Sequence, residues 1–413
     1  MAQKIAIVGG YGEMGRWFER FFTERGFDVT LVGRSSRVHY GDYDIVIIAV
    51  PIEATCEVIA HVAPQLKKGA LLFDLTSVKR QPVKQMLTSA PQNVELVSVH
   101  PLFGPSMPDM EGQTIIVAPV RGDKGRRFLI DLFERAGAHV EELSPDEHDH
   151  LMSVIQGLTH FGYIAMGATL EALNFDIKRS RRFMSPVYEI FIDFIGRILG
   201  QNPRLYAAIQ MNTDRSVHEA FLAQSAALID TINARDADAF IATMKRAARH
   251  FGDAEPALKR SNKLIMASIK EVADFKRSIG SVRGLRNVYT GAVHIGVVKH
   301  ASPHAVVLEE GSRETTLKTE NVQLMSEDDV RRHRLARGER HRDFSVVLPE
   351  GANPETVARL LTTVSDVTHT AIIDEYPPRR SHTFRVSTFA DGDVGQLQHE
   401  VVSLLVGIGC VLR

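Results

Sequence analysis

The stretch KIAIVGGYGEMG, residues 4–15, decides the fold of the N-terminal region. Residues 4–8 are a short, mostly apolar run, which is typical of a strand buried in a parallel sheet. Gly10, Gly12 and Gly15 follow in the pattern G-x-G-x-x-G, at the start of a helical stretch that ends near residue 25. Placed between a strand and a helix, this pattern predicts a dinucleotide-binding turn.

Each glycine of the pattern has an expected task. We expect Gly10 to permit a tight turn, Gly12 to let the backbone approach a pyrophosphate, and Gly15 to let the helix pack on the strand. The helix N-terminus then offers free N–H groups and a positive dipole end to phosphate. A plain strand–helix turn that merely needs glycine is the alternative. The cofactor-binding residues predicted in this turn are Gly10, Tyr11, Gly12, Glu13, Met14 and Gly15.

The end of the second predicted strand bears on the choice of cofactor. It has the sequence VGRSSR, residues 32–37, without the carboxylate that usually binds the ribose 2′-hydroxyl of NAD. Arg34, Ser35 and Arg37 could instead receive a 2′-phosphate, so we predict NADP in preference to NAD. The alternative is that Arg34 is an exposed loop residue and that NAD is used. Val50 and Pro51, after the third strand, complete the predicted cofactor site.

Strand-like and helical runs alternate through the first part of the chain, which predicts a parallel α/β Rossmann domain over residues 1–150. A capping box at Ser144-Pro145-Asp146-Glu147 marks the start of a region rich in Ala, Leu, Ile and Met. We expect this all-α region, residues 151–280, to bind the substrate and to form a homodimer. The strands predicted after the first are residues 28–32, 45–50, 70–74, 95–100 and 114–118.

The remaining residues predict three further segments. Short β-type runs at residues 292–299, 305–309 and 315–319 indicate a small β-rich module over residues 281–330. Residues 331–342 are rich in arginine, and we interpret them as a basic linker or a solvated helix face. Contact with nucleic acid is the more specific alternative. Residues 343–413 have the order βαββαβ of a ferredoxin-like domain.

Composition narrows the class of protein. A chain of 413 residues with 44% hydrophobic residues can bury substantial cores, and its net charge of −1 gives no global attraction to nucleic acid or anionic membrane. Two cysteines far apart do not suggest a disulfide framework. The first strand leaves no room for a signal peptide, and no apolar run could span a bilayer. We therefore expect a cytoplasmic protein.

Several motifs in order resemble the prephenate dehydrogenase family. They are Ala49–Ile52, Asp74–Lys79, His100-Pro101-Leu102-Phe103-Gly104-Pro105, Gly157–Phe161, Ser185–Tyr188, Gly196–Leu199 and Asn202–Tyr206. The resemblance covers roughly residues 1–275. It implies oxidative decarboxylation of prephenate to 4-hydroxyphenylpyruvate, with hydride transfer to NAD(P). Some bacterial members have another histidine at the position of Gly157, so details of the pocket are left open.

The resemblance also implies roles for four residues. His100 matches the catalytic histidine that accepts the proton of the substrate's C4 hydroxyl, and Ser77 matches a serine that orients the same region. Arg197 matches the arginine that binds the ring carboxylate, and His160 matches a histidine that lines the pocket. Structural alternatives are a helix cap for Ser77, a core histidine at His160, and a pair of Arg197 with Asp193.

Other interpretations stay open at this point. Arogenate differs from prephenate only by an amino group in place of a keto group, and the sequence does not separate the two. A β-hydroxyacid dehydrogenase is the rival enzyme, and a non-catalytic nicotinamide-binding regulator with RNA contact is the rival class. His148 and His150 lack a zinc-site pattern, and no metal is predicted.

The C-terminal domain resembles either a small-ligand regulatory domain of the ACT type or the ferredoxin-fold anticodon-binding domain of phenylalanyl-tRNA synthetase. Regulation by an aromatic amino acid, a role in stability or assembly, and RNA contact through the arginine-rich segment are its three candidate functions.

Overall fold

A computed structural model describes residues 2–413 of the chain. The residues form two compact units, one that ends at Ile265 and one that runs from Met266 to Arg413, and each is considered by itself. Within residues 2–413, no helix has both the length and the apolar character that crossing a bilayer requires.

The first unit begins with a sheet whose strand order is β2-β1-β3-β4-β5-β6-β7. The first five strands are parallel neighbours, whereas β5 and β6 are antiparallel because no helix separates them in the chain. The expectation of a parallel sheet therefore holds for β1–β5 and fails at β6. The strands are β1 (Lys4–Val8), β2 (Asp28–Val32), β3 (Ile45–Ile48), β4 (Leu71–Asp74), β5 (Glu95–Pro101), β6 (Thr114–Arg121) and β7 (His139–Glu142).

Helices cover both faces of this sheet, as the Rossmann plan requires. They are α1 (Glu13–Thr23), α2 (Ile52–Val62), α3 (Arg80–Ser89) and α4 (Lys124–Arg135). Helix α1 places Trp17, Phe18, Phe21 and Phe22 on one buried stripe against the sheet, at the i, i+3 and i+4 spacing of an amphipathic helix. Strands β2 and β3 lie on opposite sides of β1. The chain therefore reverses its direction of winding at β1, which opens a crevice at the carboxyl ends of β1 and β3.

The helical part of the first unit starts at α5, which the predicted capping box caps: Ser144 accepts from the backbone of Glu147, and Glu147 accepts from the backbone of Ser144. One π-helical turn, Ser153–Leu158, interrupts the run between α5 and α6. Such turns occur frequently at functional sites. The helices are α5 (Pro145–Met152), α6 (Thr159–Ala172), α7 (Ile177–Ser180), α8 (Pro186–Leu199), α9 (Pro203–Asn212), α10 (Arg215–Asn233) and α11 (Ala237–Phe251). Helix α12 (Ala254–Arg277) begins in the first unit and ends in the second.

The second unit continues after α12 with five antiparallel strands in the order β11-β10-β9-β8-β12. A 3₁₀ turn at Thr319–Asn321 precedes the last strand, which returns to pair with the first of the five. The strands are β8 (Val282–Asn287), β9 (Val293–Ala301), β10 (Ala305–Glu310), β11 (Arg313–Lys318) and β12 (Val322–Leu324).

Residues after Glu339 form the ferredoxin-like βαββαβ domain. Its sheet order is β14-β15-β13-β16, entirely antiparallel, and both helices pack over one apolar cluster. The elements are β13 (Glu339–Val347), α14 (Pro354–Leu361), β14 (Val367–Tyr376), β15 (Ser381–Phe389), α15 (Val394–Gly407) and β16 (Val411–Leu412).

The segment at residues 331–342 is not a linker, and the alternative of a solvated helix face holds only for its first half, where Arg331 and Arg332 are exposed. Its first half belongs to helix α13 (Glu327–Ala336), and its second half opens strand β13. Arg334 pairs with Asp366 at 2.8 Å and Asp391 at 2.9 Å and lies over the Phe389 ring. The sequence pattern suggested a solvated run because these acidic partners lie 32 and 57 residues further along the chain.

Candidate active site

The glycine turn lies between β1 and α1, at the crevice where the winding reverses. Its left-handed backbone is at Gly9, with φ of 82°, so the tight turn that we expected Gly10 to permit is made one residue earlier. A side chain on Gly10 would nevertheless meet Leu31 and the Ile7 carbonyl. Gly9 is therefore a residue of this turn that the G-x-G-x-x-G pattern missed.

Gly12 and Gly15 occupy the places that a phosphate-binding turn needs. Gly12 caps α1 with extended backbone, and a Cβ there would meet only the Gly9 carbonyl, at 3.3 Å. The space before the helix is thus open to a ligand. A Cβ on Gly15 would lie 2.6 Å from the Gly10 Cα, so only glycine lets α1 approach the strand this closely. Glu13 and Met14 form the first turn of α1, whose free N–H groups point into the same space.

The end of β2 meets this turn through Tyr11. The Tyr11 ring lies against Gly33 and is 5.1 Å from the Arg16 guanidinium. The Gly33 N–H donates to the Ser36 hydroxyl at 3.0 Å, which closes a turn that leaves Arg34, Ser35 and Arg37 exposed. Throughout residues 2–413, neither Arg34 nor Arg37 pairs with a carboxylate. Both cations are therefore free to receive an anion. Val50 and Pro51 border the crevice on the β3 side, where Pro51 caps α2.

A buried ion pair supports the carboxyl ends of β4 and β5. The Lys79 ammonium is 0% exposed and donates to Asp74 Oδ2 at 3.0 Å and to the carbonyls of Thr76 and Val99 at 2.6 and 2.9 Å. Asp74 also accepts from the Ser98 hydroxyl. Burial lowers the pKa of Lys79, and the Asp74 carboxylate opposes this. The pair joins the two strands next to the position of His100.

His100 stands near the end of β5 and is 2% exposed. Its Nδ1 lies 2.8 Å from His148 Nε2, and its Nε2 lies 3.3 Å from the Gln156 amide nitrogen. His148 Nδ1 in turn lies 2.8 Å from Asp149 Oδ1. Helix α5 thus supplies the second and third members of a chain of hydrogen bonds, and the π-helical turn supplies Gln156.

The surroundings of His100 disfavour its charged form. Burial lowers the pKa of His100 well below its ordinary value, and the nearby charges of Lys79 and His148 lower it further. Burial also lowers the pKa of His148, although its hydrogen bond with Asp149 opposes this. Burial would raise the pKa of Asp149, but the hydrogen bonds from His148, Arg80 and Lys79 outweigh it, so this pKa is lowered. A neutral imidazole near neutral pH is what a general base requires.

Ser77 lies in the loop between β4 and α3 and is half-buried. Its hydroxyl takes part in no hydrogen bond within residues 2–413, and it does not cap α3. The Asp149 carboxylate caps that helix instead, because it accepts from the backbone N–H groups of Lys79 and Arg80 at 2.8 and 3.0 Å. The interpretation of Ser77 as a helix cap is therefore wrong.

A second cluster brings His160 and Tyr206 together, and Arg197 lies on the neighbouring helix α8. The rings of His160 on α6 and Tyr206 on α9 meet edge-on, with centroids 4.7 Å apart. Burial raises the pKa of Tyr206, and the charge of Arg197 on α8 opposes this. Asp193, the alternative partner of Arg197, pairs with Arg181 at 2.7 Å. Within residues 2–413, Arg197 pairs with no carboxylate and His160 Nδ1 has no hydrogen-bond partner.

The π-helical turn connects the two clusters. Gln156 contacts His100, and the Gly157 carbonyl accepts from Gln210 on α9 at 3.1 Å. A Cβ on Gly157 would meet the Thr213 side chain at 2.5 Å, so the space that a histidine would need is filled. His148, Asp149, Gln156, Lys79 and Tyr206 are the site residues that sequence reasoning missed. The adjacent His148 and Asp149 were visible in the sequence but carried no motif.

Comparisons with known proteins agree with this architecture. The family model described as "Prephenate dehydrogenase, nucleotide-binding domain" matches residues 24–142, and the one described as "Prephenate dehydrogenase, dimerization domain" matches residues 144–246. The chain is 33% identical to the "Probable arogenate/prephenate dehydrogenase" of Methanocaldococcus jannaschii, across 98% of this chain and 97% of that protein. The chain belongs to the prephenate dehydrogenase family.

Two further similarities each cover part of this chain. The T-protein of Enterobacter agglomerans is 32% identical over 60% of this chain and 68% of its own length. The crystal structure of Aquifex aeolicus prephenate dehydrogenase covers 62% of this chain and 99% of its own, at 21% identity and a TM-score of 0.49. The similarity to the M. jannaschii relative, across 98% of this chain, extends through the second unit. The family assignment makes the chain an oxidoreductase with a nucleotide-binding domain, as the resemblance implied.

Proposed function

We propose that this protein oxidises and decarboxylates prephenate to 4-hydroxyphenylpyruvate in tyrosine biosynthesis, with NADP as the preferred hydride acceptor. The single observation that carries the proposal is His100, a buried imidazole with a lowered pKa at the carboxyl edge of the sheet that also bears the glycine turn. A base at this edge can reach a substrate whose reacting carbon faces a nicotinamide held over the crevice.

The proposed roles follow from the chemistry. NADP, when bound, accepts the hydride from C4 of the substrate ring. His100 takes the proton of the C4 hydroxyl, which makes hydride departure favourable because the oxygen can become a carbonyl. Carbon dioxide then leaves and its bonding electron pair enters the ring. The oxygen regains a proton, and the ring becomes aromatic.

Binding residues have complementary tasks. The Arg197 guanidinium is free of carboxylate partners and can hold the ring carboxylate with two parallel hydrogen bonds, which fixes the ring relative to His100. His160, whose Nδ1 is buried and without a hydrogen-bond partner in the described residues, would line the substrate pocket beside Tyr206. Ser77, whose hydroxyl makes no hydrogen bond in the described residues, would orient the substrate hydroxyl or His100.

The first test is absorbance at 340 nm with the full chain, prephenate and NADP or NAD. We expect reduced cofactor in the wild type and a loss of at least about 10²-fold in kcat for His100→Asn, since a general base contributes on the order of 10²–10⁴-fold. His150→Asn, an exposed histidine on α5, is the matched control and should retain activity. No turnover of prephenate, but turnover of arogenate, would reassign the substrate. No turnover of either would favour the non-catalytic regulator.

Cofactor preference rests on Arg34 and Ser35, which lie exposed at the end of β2; within residues 2–413, Arg34 pairs with no carboxylate. Arg34→Ala should raise the KM for NADP by about 10–100-fold, because a hydrogen bond to a charged group contributes roughly 1.5–3 kcal/mol, and leave the KM for NAD nearly unchanged. Arg127→Ala, an exposed arginine on α4, is the control. An equal effect on both cofactors would refute a contact with the 2′-phosphate.

We also propose a homodimer formed by the helical region. Apolar side chains are exposed along its helices in the single chain, and they include Leu173, Phe194, Leu222, Ile232 and Met244. An apolar surface of this extent indicates an interaction site. Light scattering coupled to size exclusion should give twice the 45.9 kDa chain mass. A monomer at micromolar concentration would refute the dimer.

We propose that the protein is cytoplasmic. For its C-terminal domain, the two leading candidate roles are regulation by an aromatic amino acid and stability or assembly. Contact with RNA through the arginine-rich segment is less supported, because Arg334 is engaged by Asp366 and Asp391. A chain that ends at Gly280, compared with the full chain in kinetics, feedback inhibition and mass, separates these roles.

A further inference from the structure

The hydrogen-bond chain behind His100 has a defined direction, and it starts at Asp149. The Asp149 carboxylate accepts from the backbone N–H groups of Lys79 and Arg80, one on each oxygen. Backbone N–H groups can only donate, so they favour the ionised carboxylate. An ionised carboxylate is an acceptor only. The 2.8 Å contact between His148 Nδ1 and Asp149 Oδ1 is therefore a hydrogen bond that His148 donates.

The same reasoning fixes which atom donates between His148 and His100. A neutral imidazole carries one proton, so a His148 that is protonated on Nδ1 has a lone pair on Nε2. The 2.8 Å contact between this atom and His100 Nδ1 requires His100 to be the donor. His100 consequently carries its proton on Nδ1 and a lone pair on Nε2.

An independent contact agrees with this assignment. The Gln156 amide nitrogen lies 3.3 Å from His100 Nε2, and an amide nitrogen can only donate. Nε2 therefore accepts from Gln156 in the absence of substrate. A substrate hydroxyl that displaces this amide would meet the same lone pair.

We propose that His148 and Asp149 are positioning residues that hold His100 in the Nδ1–H tautomer, with the Nε2 lone pair directed at the proton to be removed. Neither residue needs to touch the substrate. The other tautomer would present an N–H group to the hydroxyl and could not act as a base. This series of hydrogen bonds also stabilises the positive charge that His100 acquires when it takes the proton. His100 Nδ1–H donates to His148, which donates to the Asp149 carboxylate, and the negative charge of this carboxylate offsets the unfavourable charge of Lys79.

The tautomer can be read without any reaction, which separates this proposal from the proposed function on which its catalytic part rests. Long-range ¹H–¹⁵N spectra of the full chain, labelled in histidine, report which ring nitrogen carries the proton. The His100→Asn variant identifies the His100 signals among those of the 17 histidines. We expect the Nδ1–H form in the wild type. An Nε2–H form would overturn the proposal, whether or not prephenate is turned over.

Kinetics test the catalytic consequence. His148→Leu removes the acceptor for His100 Nδ1, so we expect the Nε2–H tautomer to become populated and kcat to fall by about 10²–10⁴-fold, as when the orienting group of a catalytic histidine is lost. The KM for prephenate should change little. His148→Gln restores an acceptor at the position of Nε2 and should recover at least about tenfold of the loss.

Two further variants keep the test decisive. His150→Leu, on the exposed side of the same helix, should leave the tautomer and kcat unchanged. If His148→Leu does not fold, Asp149→Ala replaces it: His148 then lacks the acceptor for its Nδ1–H, so neither histidine is held in its tautomer and the Nε2–H form of His100 should become populated. A variant that is folded, with kcat within about twofold of the wild type and unchanged tautomer, would refute the positioning role.

Discussion

Replacement of Lys79 by Met tests whether the buried ion pair holds the strand ends at the site. Met has a similar length but cannot donate, so the substitution leaves the Asp74 carboxylate buried beside an uncharged side chain and leaves the Thr76 and Val99 carbonyls without the Lys79 donor. Breaking a buried pair by removing one partner costs roughly 3–5 kcal/mol. The Ser98 hydroxyl and the Thr76 N–H still donate to Asp74, so we expect the lower end, about 3 kcal/mol.

The chain carries a convenient reporter for this measurement. Trp17 is its single tryptophan, it is 4% exposed in the core of the first unit, and its Nε1 donates to the Met107 carbonyl at 2.7 Å. Urea unfolding followed by tryptophan fluorescence therefore reports the free energy of unfolding of the unit that contains Lys79. The second unit contributes no tryptophan signal.

The double variant Asp74→Asn, Lys79→Met is the decisive comparison. It removes both charges, so the loss should be smaller than that of Lys79→Met alone, by roughly 1–2 kcal/mol, because an unpaired buried charge is no longer present. Lys84→Met on α3, an exposed lysine, is the matched control and should change the free energy of unfolding by less than about 0.5 kcal/mol. A loss below about 1 kcal/mol for Lys79→Met, or a double variant as unstable as the sum of the single ones, would refute the reasoning.

Three other predictions concern neighbouring features of the same unit. His100 and His148 have folded pKa values below their unfolded values, so the stability that they contribute is present above about pH 6.5. Below this pH the free energy of unfolding falls by up to about 1.4 kcal/mol per pH unit for each histidine, until its folded pKa is reached. In urea unfolding followed by fluorescence, a variant that lacks both histidines should show a weaker dependence of this free energy on pH, and an equal dependence would contradict the prediction. Gly15→Ala places a Cβ 2.6 Å from the Gly10 Cα, so it should lower the free energy of unfolding by about 1–3 kcal/mol and weaken NADP binding in titration calorimetry. Gly162→Ala, where a Cβ would lie in open space on α6, is the control and should not lower the free energy of unfolding. Equal losses of stability in the two variants would argue against the close helix–strand contact. Arg197→Met should raise the KM for prephenate by about 10–150-fold with a smaller change in the KM for NADP, and steady-state kinetics that show the reverse would remove Arg197 from the substrate site.

The sequence by itself determined the features that depend on neighbouring residues. The glycine pattern and the strand before it placed the cofactor turn, Ser144 and Glu147 placed the start of α5, and the order of strands and helices after Glu339 indicated the ferredoxin-like domain. These features could be predicted because turns, caps and periodic apolar runs are set by local backbone geometry. The antiparallel β6 and the left-handed Gly9 were missed, since strand direction and the exact turn residue depend on how the next element packs.

Only the tertiary structure decided what surrounds His100. His148 reaches it from 48 residues away, and Asp149 accepts from the Lys79 backbone across 70 residues. Burial likewise decided that Lys79 pairs internally and that the pKa of His100 is lowered. A sequence states which groups can titrate or donate, but the dielectric surroundings and the partners of each group follow from packing between distant elements. The residue types of the site were therefore readable in advance, and the direction of its hydrogen bonds was not.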